Sequence, residues 1–358
     1  MTLLLSNDDA HHLLTMPDCM AALEESYRAT CEETAINGRR SDMVGPGGDA
    51  DSAYVLKMMG AILPQQKVGA IRLNSDLFRW VTRGERKQRI KVPAAPGERW
   101  VGLVLLFSTE TGEPLAIFPD GVVQRARVGA TSGIALDRLA RQDATSLAML
   151  GSGWQAEAQI LAAASARRLA RIRCYSPNAE RCREFAARMA TQTGVPVDAA
   201  TSPEDAVRGA DIVLCATNSL GHVFLEDWCE PGQHLGTIRD RELDPGAIAR
   251  ADCVIVHDRD NLTGQHVELA KGAVFQEKAK ELGLDPRTAH LVGAPSLDEL
   301  VGGAAPGRRH DTDITCFLNY HGVGLQFAAI GALLHRKARA AGAGRDLPTE
   351  WFTEDVHS

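Results

Sequence analysis

Residues 146–178, SLAMLGSGWQAEAQILAAASARRLARIRCYSPN, constrain the fold more than any other stretch of this chain. An apolar run, Ser146–Leu150, turns through Gly151-Ser152-Gly153-Trp154-Gln155-Ala156. It continues as an Ala-rich helical pattern to about Leu169 and closes on a second strand-like run, Ile172–Tyr175. Strand, glycine turn, helix and strand in about 30 residues describe a parallel strand pair, which needs such a crossover. Gly151 permits the tight turn. Gly153 lets backbone N–H groups approach a pyrophosphate at the helix N-terminus, where the dipole favours negative charge, and Ala156 keeps the helix close to the strand. The glycines alone are a weak signal. Flanked by strand and helix they imply dinucleotide binding, the competing reading being a phosphate-free turn in another parallel-sheet protein.

The second strand bears on which dinucleotide. NAD sites usually carry Asp or Glu near its end to hold the ribose 2′-OH. Here the strand ends Tyr175-Ser176-Pro177-Asn178, with Arg181 three residues on. No acid stands there to repel a 2′-phosphate, and Ser176, Asn178 and Arg181 could bind one, so NADP is favoured over NAD. The competing reading leaves Arg181 as a solvated helix residue. A later buried strand, 211–215, ends in Ala216-Thr217-Asn218-Ser219. That loop belongs at the carboxyl edge, where ligands bind in such sheets.

With 358 residues the chain suits two domains. A net charge of −7 argues against nucleic acid or an anionic membrane as partner. No apolar run approaches the ~20 residues of a membrane helix. The start, MTLLLSNDDAHH, lacks a basic segment and does not read as a secretory signal, so Asn261-Leu262-Thr263 is not taken as a glycosylation site. Eight cysteines without a C-x-x-C read as buried free thiols of a reducing, cytoplasmic compartment. Eleven histidines form no H-E-x-x-H or Cys/His cluster, so no metal site is expected.

In chain order, Asn7 or Asp8 is placed to cap a helix that continues as an amphipathic pattern over 16–32. Residues 54–60, 67–74 and 101–108 read as strands. Residues 78–100 break the pattern with seven Lys or Arg. They read as an excursion from the sheet, either a lid or subunit-contact arm or a solvated loop. A hairpin turn at 109–113 leads to a return strand at 114–118, and 122–141 reads as a helix. Beyond the glycine turn, Ser202 with Pro203 opens a helix, 235–238 and 253–257 are strands, and 265–281 and 296–300 are helical. Residues 313–337 pass from a strand into a long apolar helix expected to pack back on the first domain.

These pieces add up to a resemblance. R-V-G-A-T-S-G (127–133), G-S-G-W-Q-A (151–156), Y-S-P-N (175–178), D-I-V-L-C-A-T-N-S (211–219), W-x-x-P-G-Q-H (228–234) and I-T-x-F…G-x-G (314–324) occur in the order found in the ornithine cyclodeaminase/mu-crystallin family. The chain resembles that family over roughly residues 40–330. The resemblance implies a Rossmann-type, doubly wound parallel sheet domain at 126–319. It also implies an α+β substrate and dimerisation domain made of 1–125 with 320–358, and a homodimer built through the first sheet. Carried over residue by residue, it makes Arg127 the grip on a substrate carboxylate, with Arg125 as competitor, and Arg40 (or Arg39) a second arginine. The family's strand lysine, about 13 residues after a conspicuous Met, falls on Arg72 when counted from Met59. Arginine stays protonated and is a poor proton shuttle. Lys57, on the same face as Met59 if the strand is regular, is a spare candidate. The family's cyclodeaminase aspartate has no clean counterpart. Asp240 is nearest, with a solvated turn as the competing reading.

The expected function is an NAD(P)H-dependent oxidoreductase acting on the C=N or C–N bond of a small imino or amino acid. Alternatives are a cyclodeaminase-type ammonia lyase that uses NAD catalytically, and a non-catalytic binder of the dinucleotide.

Overall fold

The computed structural model describes residues 1–83, 86–259, 266–271, 291 and 293–354. The first part comprises β1 (Thr2–Leu4), α1 (Asn7–Leu13), α2 (Met16–Cys31), β2 (Ile36–Asn37), β3 (Ser41–Pro46), β4 (Ser52–Leu63), β5 (Val68–Arg83), β6 (Arg86–Val92), β7 (Val101–Ser108) and β8 (Pro114–Pro119). Helix α3 (Gly121–Leu139) leads to β9 (Ser146–Leu150), α4 (Trp154–Ala166), β10 (Arg171–Tyr175), α5 (Ala179–Thr193), β11 (Val197–Ala199), α6 (Pro203–Val207), β12 (Ile212–Cys215), β13 (His234–Thr237), α7 (Pro245–Ala249) and β14 (Cys253–Val256). Then follow β15 (His266–Leu269), α8 (Leu297–Val301), β16 (Thr315–Leu318), α9 (Gly324–Ala341) and β17 (Arg345–Leu347).

Among the described residues, seven of these strands form a wholly parallel sheet in the order β11-β10-β9-β12-β13-β16-β14. The order reverses between β9 and β12, the place where such sheets open a crevice at their carboxyl edge. The last strand, β16, is slotted between β13 and β14. The other sheet runs β15-β3-β4-β5-β7-β8-β1-β17, with β2 on β4 and β6 on β5. The expected α/β class, a doubly wound parallel sheet beside a second sheet, is what the chain adopts.

Four local expectations are corrected. Ser6, not Asn7 or Asp8, caps α1: its hydroxyl accepts from Asp9 N–H (3.1 Å) and Asp9 accepts from Ser6 N–H (2.8 Å). The reciprocal pair outcompetes a single carboxamide cap. Thr15 then caps α2, so two helices stand where one pattern was read. Residues 78–100 do not leave the sheet at once. β5 continues to Arg83 and β6 pairs back along it, Trp80 opposite Arg89 and Phe78 opposite Lys91, because cross-strand pairing stabilises even a basic segment. Residues 266–269 are a strand parallel to β3 rather than helix, the unpaired edge of β3 overriding a local helical pattern. The remainder of 272–281, like the sequon at 261–263, lies outside the described residues. Of the cysteines, all free, Cys31 and Cys253 are only partly buried.

Helix α9 lies on one face of the larger sheet with α2 and α3 packed against it, and Leu23, Leu106, Phe118, Ile134, Phe327 and Ile330 are fully buried there. Gly331 brings α9 down on the sheet: a Cβ there would stand 3.0 Å from Phe118 Cζ. The opposite face presents Tyr54, Ile62, Val101 and Leu103, each between 38 and 41% exposed. The covered face turns polar where the helices end. Met59 stands opposite Arg72 and Lys57 opposite Asn74, and Asp42 pairs with Lys57, all facing inward. Among the described residues no helix is long and apolar enough to cross a membrane. Phe118→Ala, which opens a cavity beneath α9, is expected to cost about 3–5 kcal/mol in urea unfolding. A loss below ~1 kcal/mol would show that α9 does not depend on that contact.

Candidate active site

At the carboxyl edge of the parallel sheet, β9 ends on Gly151 with φ of +123°, a backbone conformation that L side chains rarely adopt. A Cβ there would also fall 2.2 Å from Ala216 O, so the ends of β9 and β12 touch only because residue 151 is glycine. Gly153 is the N-cap of α4, has no side-chain cap, and faces open space where its Cβ would be. The first-turn N–H groups of α4 are thus left for a ligand. Gln155 keeps a buried Oε1 with no hydrogen-bond partner. Trp154 is 48% exposed, with the Arg125 guanidinium 5.3 Å from its ring centre and Arg125 paired to Glu157 at 3.1 Å. These features fit a dinucleotide whose pyrophosphate rests on α4.

The flanking loops are braced from within. Buried Glu242 accepts from Thr217 N–H (2.5 Å), Thr217 Oγ1 (2.9 Å), Thr237 Oγ1 (2.7 Å) and the N–H groups of Ile238 and Arg239. The Thr217 hydroxyl is therefore committed to the protein, and Asn218 beside it is exposed. Asn178 is likewise committed: its Oδ1 caps α5 by accepting from Arg181 N–H at 3.0 Å. Ser176 is half-buried just before it, and the Arg181 side chain is exposed on the first turn of α5.

Across from this edge, the polar end of the larger sheet forms a cationic floor. Buried Arg72 donates through Nε (2.8 Å) and Nη2 (2.5 Å) to Asp120 Oδ2. Arg40 makes a bidentate pair with Asp42, both contacts 2.8 Å. Lys57 bonds Asp76 at 2.8 Å, and burial is the main reason its ammonium lies below the usual lysine range. Arg127, on α3, is buried and has no carboxylate partner among the described residues. It donates to Gln124 Oε1 (3.2 Å) and Gln326 Oε1 (3.0 Å). Burial pushes its guanidinium down to about 9, and nearby Arg72 adds to this. A Cβ on Gly322 would stand 2.6 Å from Arg127 Nη1, so the chain before α9 closes directly over the guanidinium. Asp240 is exposed, in the turn after β13, within electrostatic reach of His321.

The Gln326 carboxamide relays this contact inward. Its Nε2 donates to Thr131 Oγ1 (2.7 Å) and to Tyr27 Oη (3.2 Å). His257 Nδ1 donates to His321 O (2.8 Å), so its Nε2 accepts the Tyr27 hydroxyl proton (2.8 Å) and the ring is neutral. Burial holds His257 down at about 4, in keeping with that tautomer. Asp120, Gln326, Tyr27, His257 and Glu242 were not singled out from sequence. A glutamine inside the apolar run of α9, and an arginine on a buried strand that needs a carboxylate, were the readable signals.

The fold and these two facing edges define a dinucleotide-binding α/β protein with a cationic floor across from its nucleotide edge. The chain belongs to the ornithine cyclodeaminase/mu-crystallin family, whose model matches residues 6–340. It is 31% identical over 338 residues to an uncharacterized cyclodeaminase of Sinorhizobium fredii, covering 91% of this chain and 92% of that one. It is 28% identical over 251 residues to a Delta(1)-pyrroline-2-carboxylate reductase of Bacillus cereus, covering 69% of this chain and 74% of that one. The structure of Thermococcus litoralis Delta(1)-pyrroline-2-carboxylate reductase in complex with NADH and L-proline superposes with a TM-score of 0.77 at 23% identity, over 97% of this chain and 100% of that one.

The buried histidine gives a pH signature. Its folded value is depressed, so the unfolded chain takes up the proton first as pH falls, and stability is lost between about 6.5 and 4. Unfolding at pH 7.5 and 4.5 is expected to show His257→Asn losing about 2 kcal/mol less than wild type on acidification. An equal loss would mean that His257 is not neutral in the folded protein.

Proposed function

We propose that this protein is a nicotinamide-dependent oxidoreductase acting on the C=N or C–N bond of a small imino or amino acid. The observation that carries the reading is Arg127. A buried guanidinium without a carboxylate is costly, and a planar fork facing a cleft is suited to bind a substrate carboxylate bidentately. Arg72, fixed by Asp120, and Arg40, fixed by Asp42, orient the same end of the substrate. When bound, the nicotinamide ring supplies or accepts the hydride. Lys57, its ammonium weakened by burial, delivers the proton to nitrogen, a role Arg72 cannot fill. Residues 126–319 hold the cofactor, and 1–125 with 320–358, joined by Arg127 at the domain junction, hold the substrate.

For the cofactor the reading favours NADP. No acid stands at 176–178, and Ser176 and the exposed Arg181 are available to a 2′-phosphate while Asn178 is occupied as a cap. A lyase is the second reading. It is disfavoured because Asp240 stands exposed in a turn and Arg72 stands where a lysine is expected.

Loss of reduced-nicotinamide absorbance with NADPH, then NADH, and a panel of pyrroline- and piperideine-carboxylates tests this. Arg127→Lys is expected to lower kcat/KM about 10- to 100-fold. Ammonia release from ornithine with catalytic NAD and no imine reduction would favour the lyase. The open face of the larger sheet fits a homodimer interface, since contiguous exposed apolar surface of this kind marks association sites. Leu103→Glu is expected to halve the mass seen by light scattering, and an unchanged mass would place the contact elsewhere.

A further inference from the structure

The basic hairpin carries a second cationic group that the reading above leaves unused. Two phenylalanine rings on the cleft side each hold two cations. Phe327 lies 5.2 Å from the Arg72 guanidinium and 5.6 Å from that of Arg127. Phe78 lies 5.1 Å from Lys57 Nζ and 4.6 Å from the Arg89 guanidinium. At each ring one cation has a carboxylate and the other has none. Arg72 is bound to Asp120 and Lys57 to Asp76. Arg127 and Arg89 have no carboxylate partner among the described residues. Asp76 lies within electrostatic reach of Arg89, but its ion pairs are with Lys57 and, at 2.5 Å, Lys91 rather than with Arg89. The β5–β6 register puts Arg89 on the same sheet face as Trp80, Phe78 and Arg72, where it is exposed to incoming ligand. From the facing sheet comes Arg239, which donates to Thr217 O at 3.0 Å, also lacks a carboxylate among the described residues, and lies within electrostatic reach of Arg89. Like charges juxtaposed across a cleft repel unless an anion lies between them.

We propose that Arg89, backed by Lys57 across the Phe78 ring and faced by Arg239, is a second anion subsite, and that the substrate is an amino or imino acid with a distal carboxylate. This rests on the oxidoreductase reading of the cleft. The α-carboxylate lies on Arg127 at the Phe327 ring, the reacting carbon and nitrogen near Lys57, and the distal carboxylate on Arg89. Phe78 is six residues beyond Arg72 on β5, on the order of 20 Å of strand. Long side chains reaching inward from both ends shorten this, so the second carboxylate stands several bonds from the first. Arginine suits both positions because its fork matches a carboxylate and stays charged.

The test uses the full chain with NADP+ or NAD+ and the L-amino acids aspartate, glutamate, 2-aminoadipate and 2-aminopimelate, with glutamine and norleucine as uncharged counterparts. Oxidation is followed by reduced-nicotinamide absorbance, and binding of adipate and pimelate against hexanoate by calorimetry in the presence of cofactor. The expected result is a preference of about 10- to 100-fold in kcat/KM for a longer diacid over norleucine. That preference collapses toward one in Arg89→Gln and is partly kept in Arg89→Lys. Diacid-selective binding lost in Arg89→Gln, without turnover of any substrate, would support the subsite while overturning the oxidoreductase reading. Turnover without diacid preference would overturn the subsite alone. A rise in the NADP+ KM of Arg89→Gln with no change in diacid preference would also overturn it, assigning Arg89 to a cofactor phosphate.

Discussion

The Arg127–Gln326 contact is what the cleft depends on. It joins α3, the helix leading into the parallel sheet, to α9, the helix that follows its last-formed strand. Through Gln326 it reaches Tyr27 of α2 and Thr131 of α3, and through Tyr27 it reaches His257 at the end of β14. One carboxamide thus satisfies a guanidinium, a hydroxyl pair and the N–H of Val323 at the start of α9. Such a network is stable only when every member is satisfied. The neutral His257 ring and the raised Tyr27 hydroxyl both follow from burial. A charge is kept in the core with its outward side still free to meet a ligand.

The two edges of the cleft are built on opposite principles. The nucleotide edge is made of absences: no Cβ at residues 151 and 153, and no side-chain cap on α4. The floor is made of excess, with more cations than nearby carboxylates can neutralise. Helix dipole and guanidinium attract negative groups toward the cleft from both sides.

Much of this was legible in the chain. The glycine turn, its flanking strands, the Ser202 cap, the short helix near 296–300 and the long apolar helix near the end all follow from local rules and are found in place. Arg127, Arg72, Lys57 and Met59 were singled out, and the register brings the last three to neighbouring inward positions. What escaped were partners fixed by non-local contact. Nothing near Asp120 announces that it meets Arg72, 48 residues away. Glu242 looks like one acid in a polar loop, yet it is buried under five donors from two loops. The strand at 266–269 exists because β3 offers an unpaired edge, and no window around it contains that fact.

The sheet order has a kinetic consequence. Residues 2–4 pair with 345–347, and the helix that roofs the larger sheet spans 324–341. A ribosome therefore finishes the intervening parallel sheet before it releases the roof and closing strand of the first one. Until then the inward face, with its charged floor, stays open to water and to other chains. Long-range closure of this kind slows folding and leaves strand edges exposed. The nucleotide-binding half is free to form first and to serve as the surface on which the substrate half is completed.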